Sequence, residues 1–461
     1  MGDDYSRGEN MVLPEKLLIR LRDIFGYYSD GKNPQELCAL PHFKGIRVNT
    51  LKNHRENFEK FNIGGDKSPF CKDGFYVSAE DKLGNHPLHH CGAFYIQEPS
   101  ATSAVTVLDP KEGEFILDLC AAPGGKSTQI AAALSNTGLI WSNEIVSKRA
   151  YILLSNFERM GVARGVISNC HPDPLCDTLY ECFDKVLVDA PCSGEGMLRR
   201  EPQIAEEWSE ENVLACADRQ QKILDSAAKA LREGGILVYS TCTYSKEENE
   251  GNIQLFLKNH PEFTLLDAGV TFGREGIGLK GTRRILWQDG GEGHFVAKLQ
   301  KSGDSPRREI PISADISKKT KKGGKAQPES EKILKDFLAE NSISLPQGYI
   351  IQSGDKFYLS PIPAPPRDLK IIRSGVMLGE TERGRFIPAH AMFSTPFIKA
   401  KRQIDLSLSD PRLQKFLHGE EIEAEGTKGY YRVTVENIPL GFGKLTGGRL
   451  KNYYPKGLRI L

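Results

Sequence analysis

The chain has 461 residues, 39% of them hydrophobic, which is too long for one compact core and apolar enough to build two or more domains. No stretch approaches the roughly 18 to 20 uninterrupted apolar residues of a membrane helix, and the N-terminus lacks the basic and then apolar run of a secretory signal, so a cytoplasmic protein is expected. With 61 basic and 60 acidic residues the formal charge is +1, so net charge gives no argument for a nucleic-acid partner and only local patches do.

Met1, Gly2 and Ser6 match the loose spacing of a myristoylation signal, but two aspartates follow Gly2 and the match reads as chance. Residues 1–92 read as a small α+β accessory domain with a basic, strand-like piece at 45–50 and no repeated βα rhythm. From 93 to 301 short β-rich runs alternate with helical stretches, the signature of βαβ units and a mainly parallel sheet. Strands are predicted at 115–119, 138–142, 183–189 and 235–240. Ligands of such sheets sit at the carboxyl ends of the strands. Residues 302–329 are rich in Ser, Lys, Gly and Pro, with five lysines in 318–325, and read as a linker. Residues 330–461 start with a helical pattern up to Asn341, continue β-leaning with many Gly and Pro turns, and read as a separate C-terminal module.

The ten cysteines are expected to be free thiols, because a reducing compartment keeps them so. No Cys-x-x-Cys occurs, and the even spacing of Cys170, Cys176 and Cys182 lacks the close pairs of a tetrahedral zinc site, so no metal is expected.

The first predicted strand runs into Cys120, Ala121, Ala122, Pro123, Gly124, Gly125 and Lys126 and then a helix starting near Ser127 and Thr128. Small residues there let the backbone approach a ligand, and the helix N-terminus offers free N–H groups, which suits a nucleotide-like molecule. Gly125-Lys126-Ser127 supplies half of a phosphate-binding P-loop, but that motif needs a glycine where Cys120 stands. Glu144, about 20 residues beyond the glycines, sits where an acid accepts hydrogen bonds from ribose hydroxyls. Asp173, after the next apolar segment, is placed to reach an adenine, or else forms an ordinary Pro-Asp-Pro turn. The last two predicted strands end in Asp189-Ala190-Pro191-Cys192-Ser193-Gly194 and Ser240-Thr241-Cys242-Thr243-Tyr244. Two cysteines thus fall at the carboxyl ends of two strands, on the side where the glycine loop opens.

These segments resemble the Nol1/Nop2/Sun family of RNA (cytosine-5) methyltransferases, with the glycine loop and both cysteine motifs in the family's order and spacing. Similarity runs over roughly 47–301 and continues near the C-terminus. There Leu440-Gly441-Phe442-Gly443-Lys444 and the stretch 451–459 resemble the PUA-like module of the bacterial RsmF-type enzymes, which act on small-subunit ribosomal RNA. The resemblance implies a Rossmann-like α/β methyltransferase domain between a small N-terminal RNA-binding domain and a C-terminal PUA-like module. It implies S-adenosylmethionine as cofactor, held by residues 120–126, Glu144, Asp173 and Asp189. Its implied partner is RNA, small-subunit rRNA or the 30S subunit, with transfer RNA as the alternative target and a monomer as the working form.

By the same match Cys242 is the nucleophile, Cys192 assists product release and Asp189 orients the base. Lys126 is expected to favour a thiolate. A rival assignment makes Cys192 the nucleophile, as in DNA cytosine methyltransferases, whose Glu-Asn-Val triplet recurs here as Glu211-Asn212-Val213. That triplet lies in a helical, acid-rich stretch and reads as coincidence. A noncatalytic ribosome-assembly factor is the contrasting class, and the intact cysteine pair argues against it. Leu286-Trp287-Gln288-Asp289 departs from the family, where a Pro-His turn is expected. Lys444, Arg449, Lys451, Lys456 and Arg459, with Tyr453 and Tyr454, read as a basic, aromatic surface for phosphates and bases.

Overall fold

The computed structural model describes residues 12–29, 31–53, 55–312 and 326–460. The myristoylation-like pattern and the lysine cluster 318–325 lie outside them. Among the described residues no helix is long and apolar enough to cross a membrane.

The helix Glu15–Tyr27 carries Leu17, Leu21, Ile24 and Phe25 on one buried stripe. Phe25 meets Tyr244 edge-on at 5.5 Å and Trp287 at 5.6 Å, so this helix packs on the turn behind Cys242. Strand β1 (Gly45–Val48) lies between β2 (Gly74–Tyr76) and β3 (Phe94–Ile96) in an antiparallel sheet. The basic residue of this predicted strand does not face solvent. Arg47 is 1% exposed and donates to Gln97 Oε1 (3.3 Å), to the Gly125 carbonyl (3.1 Å) and to Thr128 Oγ1 (2.9 Å).

The central region is a ten-stranded sheet. Its parallel centre runs in the order β8 (Leu231–Thr241), β7 (Phe183–Asp189), β4 (Phe115–Asp118), β5 (Leu139–Asn143) and β6 (Gly165–Ser168). All four predicted strands are present within a residue or two, the last extended into β8. Val186, Leu187 and Val188 are fully buried, as befits strands covered on both faces. The helices Pro172–Thr178, Glu210–Ala230 and Glu250–Asn259 cover one face, and Ser103–Leu108, Gly125–Ala133 and Ser147–Met160 the other. Antiparallel strands β9 (Phe263–Leu266), β10 (Arg274–Gly276), β11 (Leu279–Ile285) and β12 (His294–Lys301) extend the sheet beyond β8, with β12 on β8.

The C-terminal region is tied to the rest of the chain at two places. Strand Ile371–Ser374 pairs antiparallel with β6 and completes the ten-stranded sheet. The Asn169 N–H donates to the Lys370 carbonyl (2.9 Å), and Lys370 Nζ donates to Asn169 Oδ1 (2.7 Å). The terminal five-stranded sheet shares one apolar core with the N-terminal domain, in which Phe58, Leu88 and Phe94 join Leu413, Phe416, Val433 and Leu450. Apolar alternation marks such strands in a sequence but does not say which element covers them. In the basic, aromatic C-terminal run Arg449, Lys451 and Lys456 are exposed. Tyr454 is buried, and Arg459 donates to its carbonyl, while Lys444 and Lys451 lie over the rings of Tyr430 and Tyr453.

One buried ion pair fixes the segment behind the site. Arg284 donates through Nε (2.7 Å) and Nη2 (2.5 Å) to Glu250, at the start of the helix Glu250–Asn259, and through Nη1 to the Tyr244 carbonyl (2.8 Å). The two side chains are 1% and 4% exposed. Arg284→Met leaves a buried carboxylate unpaired and should destabilise the protein by about 3–5 kcal/mol in urea unfolding. The double replacement Arg284→Met/Glu250→Leu should regain most of that loss.

Candidate active site

β4 ends at Asp118, and the chain passes through Cys120–Pro123 into the helix Gly125–Ala133. The Ala121 N–H donates to the Asn143 carbonyl (2.8 Å), tying this loop to the end of β5. Gly124 has φ +113°, and a Cβ there would lie 2.9 Å from Leu153 Cδ1, so the turn requires glycine. The loop borders an open cleft of about 740 Å³, lined also by Asp118, Lys126, Asp189, Cys192 and Cys242. That is room for a nucleoside-sized ligand and part of a base.

Asp118 is fully buried. Its Oδ2 accepts from Ser127 Oγ (2.6 Å), which accepts in turn from Ser142 Oγ (2.9 Å). Burial pushes its pKa up to about 7, against the hydrogen bond from Ser127. Burial, with the carboxylates of Asp118 and Asp189, also pushes the Cys120 thiol well up, so Cys120 stays protonated.

Glu144 is 2% exposed. One oxygen accepts from the Val146 N–H (2.8 Å), and the other lies 3.3 Å from Arg149, which donates to the Ala122 carbonyl (2.7 Å). The acid therefore reaches the glycine loop through an arginine absent from the sequence reading. Asp173 does not join the site. It opens the helix Pro172–Thr178, does not line the cleft, and holds Lys229 Nζ at 2.8 Å together with Asp177. Its spacing placed it after the right strand, but a side chain in a first helical turn faces whatever partner the fold supplies, here an exposed lysine.

The thiols meet at the other end of the cleft. In the parallel register of β7 and β8 Asp189 lies opposite Ser240, and the turns that follow bring Cys192 Sγ to 3.3 Å from Cys242 Sγ. Both are free and half-buried. Hydrogen bonding to Cys242 and burial push the Cys192 thiol well up. Asp189 Oδ1 accepts from Ser240 Oγ (2.7 Å) and Oδ2 from Lys126 Nζ (2.7 Å). Burial opposes the Lys126 charge, but attraction to Asp189, their hydrogen bond and the nearby Cys242 raise its pKa above the usual lysine range.

Sequence reasoning missed the acids behind the thiols. Glu195 accepts from Thr243 Oγ1 (3.0 Å), the Tyr244 N–H (3.1 Å), Ser245 Oγ (2.7 Å) and Trp208 Nε1 (2.9 Å). Glu248 accepts from the Ser193 N–H (3.0 Å) and Gln220 Nε2 (2.8 Å). An acid beside a cysteine turn was the available signal. The triplet Glu211-Asn212-Val213 forms the first turn of the helix Glu210–Ala230, capped by Ser209. The departing loop 286–289 seats Trp287 on Tyr244 at 5.5 Å.

A mixed sheet with a five-stranded parallel centre, a glycine loop at the carboxyl end of β4 and a ligand-sized cleft there define a Rossmann-like methyltransferase. The family model for 16S rRNA methyltransferase RsmB/F matches residues 105–300. Models for the RsmF N-terminal domain, first C-terminal domain and PUA domain match 13–99, 336–394 and 403–460. The chain is 33% identical to ribosomal RNA small subunit methyltransferase F of Vibrio vulnificus, over 97% of this chain and 98% of the relative. Against the enzyme of the same name from Shewanella oneidensis it is 33% identical over 91% and 92%. Among solved structures, NSun6 from Pyrococcus horikoshii with SFG matches with TM-score 0.57 and 26% identity, over 64% of this chain and all of that one. A methyltransferase homolog protein from the same organism matches with TM-score 0.53 and 28% identity, over 63% and all of that chain. The chain belongs to the RsmF branch of the 16S rRNA methyltransferase RsmB/F family.

Because the Asp118 pKa is raised from 3.8 to about 7, the folded protein binds a proton that the unfolded chain releases first. Stability from this group is complete below about pH 4 and is lost as pH rises to about 7, at up to about 1.4 kcal/mol per pH unit. Asp118→Asn should flatten that part of the pH dependence in urea unfolding. An unchanged slope in the variant would exclude Asp118 as its source.

Proposed function

We propose that this protein methylates carbon 5 of cytidine in small-subunit ribosomal RNA, with S-adenosylmethionine as methyl donor and Cys242 as nucleophile. The observation that carries the reading is the pair of free thiols 3.3 Å apart at the ends of β7 and β8, in the cleft that the glycine loop borders. The relatives named for small-subunit rRNA support the target, and a structural neighbour solved with SFG, an analogue of the methyl donor, supports the cofactor.

The cleft fits the donor, since the loop 120–126 brings small residues and the N–H groups of a helix start to its edge, with Glu144 behind Arg149. When bound, S-adenosylmethionine supplies the electrophilic methyl group that carbon 5 accepts. Carbon 5 of cytosine is too weak a nucleophile to take it unaided. The Cys242 thiolate adds to carbon 6, forming the S–C6 bond and moving the C5–C6 π pair towards carbon 5. Asp189, held by Ser240 and Lys126, faces the cleft as the group for the exocyclic amine and N3 edge, where a shared proton makes carbon 6 more electrophilic. After methylation carbon 5 still carries its hydrogen. A base, water in the open cleft, takes that proton, and the C–H pair restores the C5–C6 double bond as the S–C6 bond breaks and the Cys242 thiolate leaves. Cys192, already in contact with Cys242, promotes this release. The target base leaves any stack to reach the thiols, at a cost of roughly a few kcal/mol.

Methyl transfer from labelled S-adenosylmethionine to small-subunit rRNA and to transfer RNA tests this with wild type, Cys242→Ala and Cys192→Ala in parallel. Label should appear on ribosomal cytidine and fall at least roughly a thousandfold in Cys242→Ala. Cys192→Ala should accumulate a denaturation-resistant protein–RNA adduct. An adduct that survives in Cys242→Ala but vanishes in Cys192→Ala would reverse the two roles, and label on neither RNA would sink the reaction itself. In the same assay Lys126→Met should slow transfer by about 10²-fold, the scale of one lost charge contact beside the reacting groups.

A further inference from the structure

The two loops that carry the thiols are tied together by a chain of four side chains. Glu248 Oε1 is hydrogen-bonded to Ser193 Oγ, Ser193 Oγ lies 2.7 Å from Thr243 Oγ1, and Thr243 Oγ1 lies 3.0 Å from Glu195 Oε2. All four are buried. The ties are reciprocal. Glu195 follows Cys192 in sequence yet grips Thr243, Tyr244 and Ser245 behind Cys242, while Glu248 lies beyond Cys242 yet grips Ser193 beside Cys192.

The chain has three oxygen–oxygen contacts, and its two hydroxyls bring two hydrogens. One contact therefore lacks a hydrogen unless a carboxyl supplies it. Glu195 already receives four donors. At Glu248, Oε2 takes the Ser193 N–H and Gln220, which leaves Oε1 as the atom to carry the extra proton.

We propose that Glu248 is a positioning residue: a proton on its Oε1 completes the chain to Glu195 and holds the Cys192 and Cys242 loops together, and its loss breaks the link between Ser193 and Thr243. The inference rests on reading these two thiols as the reacting groups. With the proton in place Glu248 donates to Ser193, Ser193 to Thr243 and Thr243 to Glu195. Without it both hydroxyls turn to their carboxylates, and two oxygens face each other at 2.7 Å through lone pairs alone.

The surroundings suit this proton. Burial pushes Glu248 up to about 7 against the hydrogen bonds from Ser193 and Gln220, with the Glu195 carboxylate adding to the rise. The Cys192 and Cys216 thiols and the Tyr239 hydroxyl, which donates to the Glu248 carbonyl, face it from the neighbouring elements. At the Glu195 end Arg20 reaches Ser245 (3.5 Å) and Glu247 (2.5 Å).

Glu248→Gln places a non-titrating N–H donor where the proton is assigned, and Glu248→Ala removes the tie. The kcat ratio of Glu248→Gln to wild type cancels thiol titration common to both and should rise roughly fivefold between about pH 6 and about pH 8.5, as wild type loses one hydrogen bond and the variant does not. Glu248→Ala should fall below Glu248→Gln throughout. Wild-type minus Glu248→Gln infrared spectra, taken without RNA or methyl donor, should show a protonated-carboxyl stretch that disappears over the same pH range. That spectrum holds its meaning even if the methylation reading fails or the alanine variant does not fold. A flat kcat ratio, or no such band at about pH 6, overturns the proposal.

Discussion

The active site depends on one constraint, the parallel register of β7 against β8. Strand pairing fixes Asp189 opposite Ser240, and the Ala190 N–H then donates to the Ser240 carbonyl (2.8 Å) before the two chains turn away. Cys192 and Cys242 both follow within a few residues of that point. A slip of one residue would send each side chain to the opposite face and part the thiols. The turns stay close because Gly196 crosses Cys242 with no side chain, its N–H donating to the Cys242 carbonyl (2.9 Å), and a Cβ there would lie 2.6 Å from the Gly293 carbonyl oxygen. Phe25, Tyr244 and Trp287 brace the turn from below through edge-on ring contacts.

Around this crossing the protein buries charge more freely than a pure packing argument would favour. Arg199 and Glu292 are 3% and 0% exposed, and the guanidinium also lies over the rings of Phe43 and Trp287. Arg47 braces the glycine loop from the N-terminal sheet, and Arg284 braces the segment behind Cys242. Such networks are costly when half satisfied and rigid when complete, so Arg47 fixes the backbone of the glycine loop and Arg284 that of the turn after Cys242. The N-terminal domain thus helps to shape the cleft, since a strand within it holds the glycine loop.

What the sequence revealed was local, and what it hid was not. The parallel strands were legible as apolar runs, and the glycine loop as small residues before a helix start, because both patterns are written in consecutive residues. The meeting of Cys192 with Cys242 followed from two such strands ending alike. Asp173 was misplaced because its direction is set by Lys229, far along the chain. The role of Arg47 was hidden because nothing adjacent to it announces Thr128 or the Gly125 carbonyl as its partners. Glu195 and Glu248 escaped notice for the same reason, each holding the loop of the other cysteine.

The strand Ile371–Ser374 has a consequence for how the molecule is made. Lys370, just ahead of it, bonds to Asn169 across 201 residues of chain. At a synthesis rate of roughly 5–20 residues per second, β6 emerges roughly 10–40 s before the strand that covers it. During that interval the nascent chain carries a nearly finished catalytic sheet with an open border, the kind of edge that recruits wrong partners. The strand Ile371–Ser374 therefore acts as a delayed seal on a sheet whose other strands precede it in the chain.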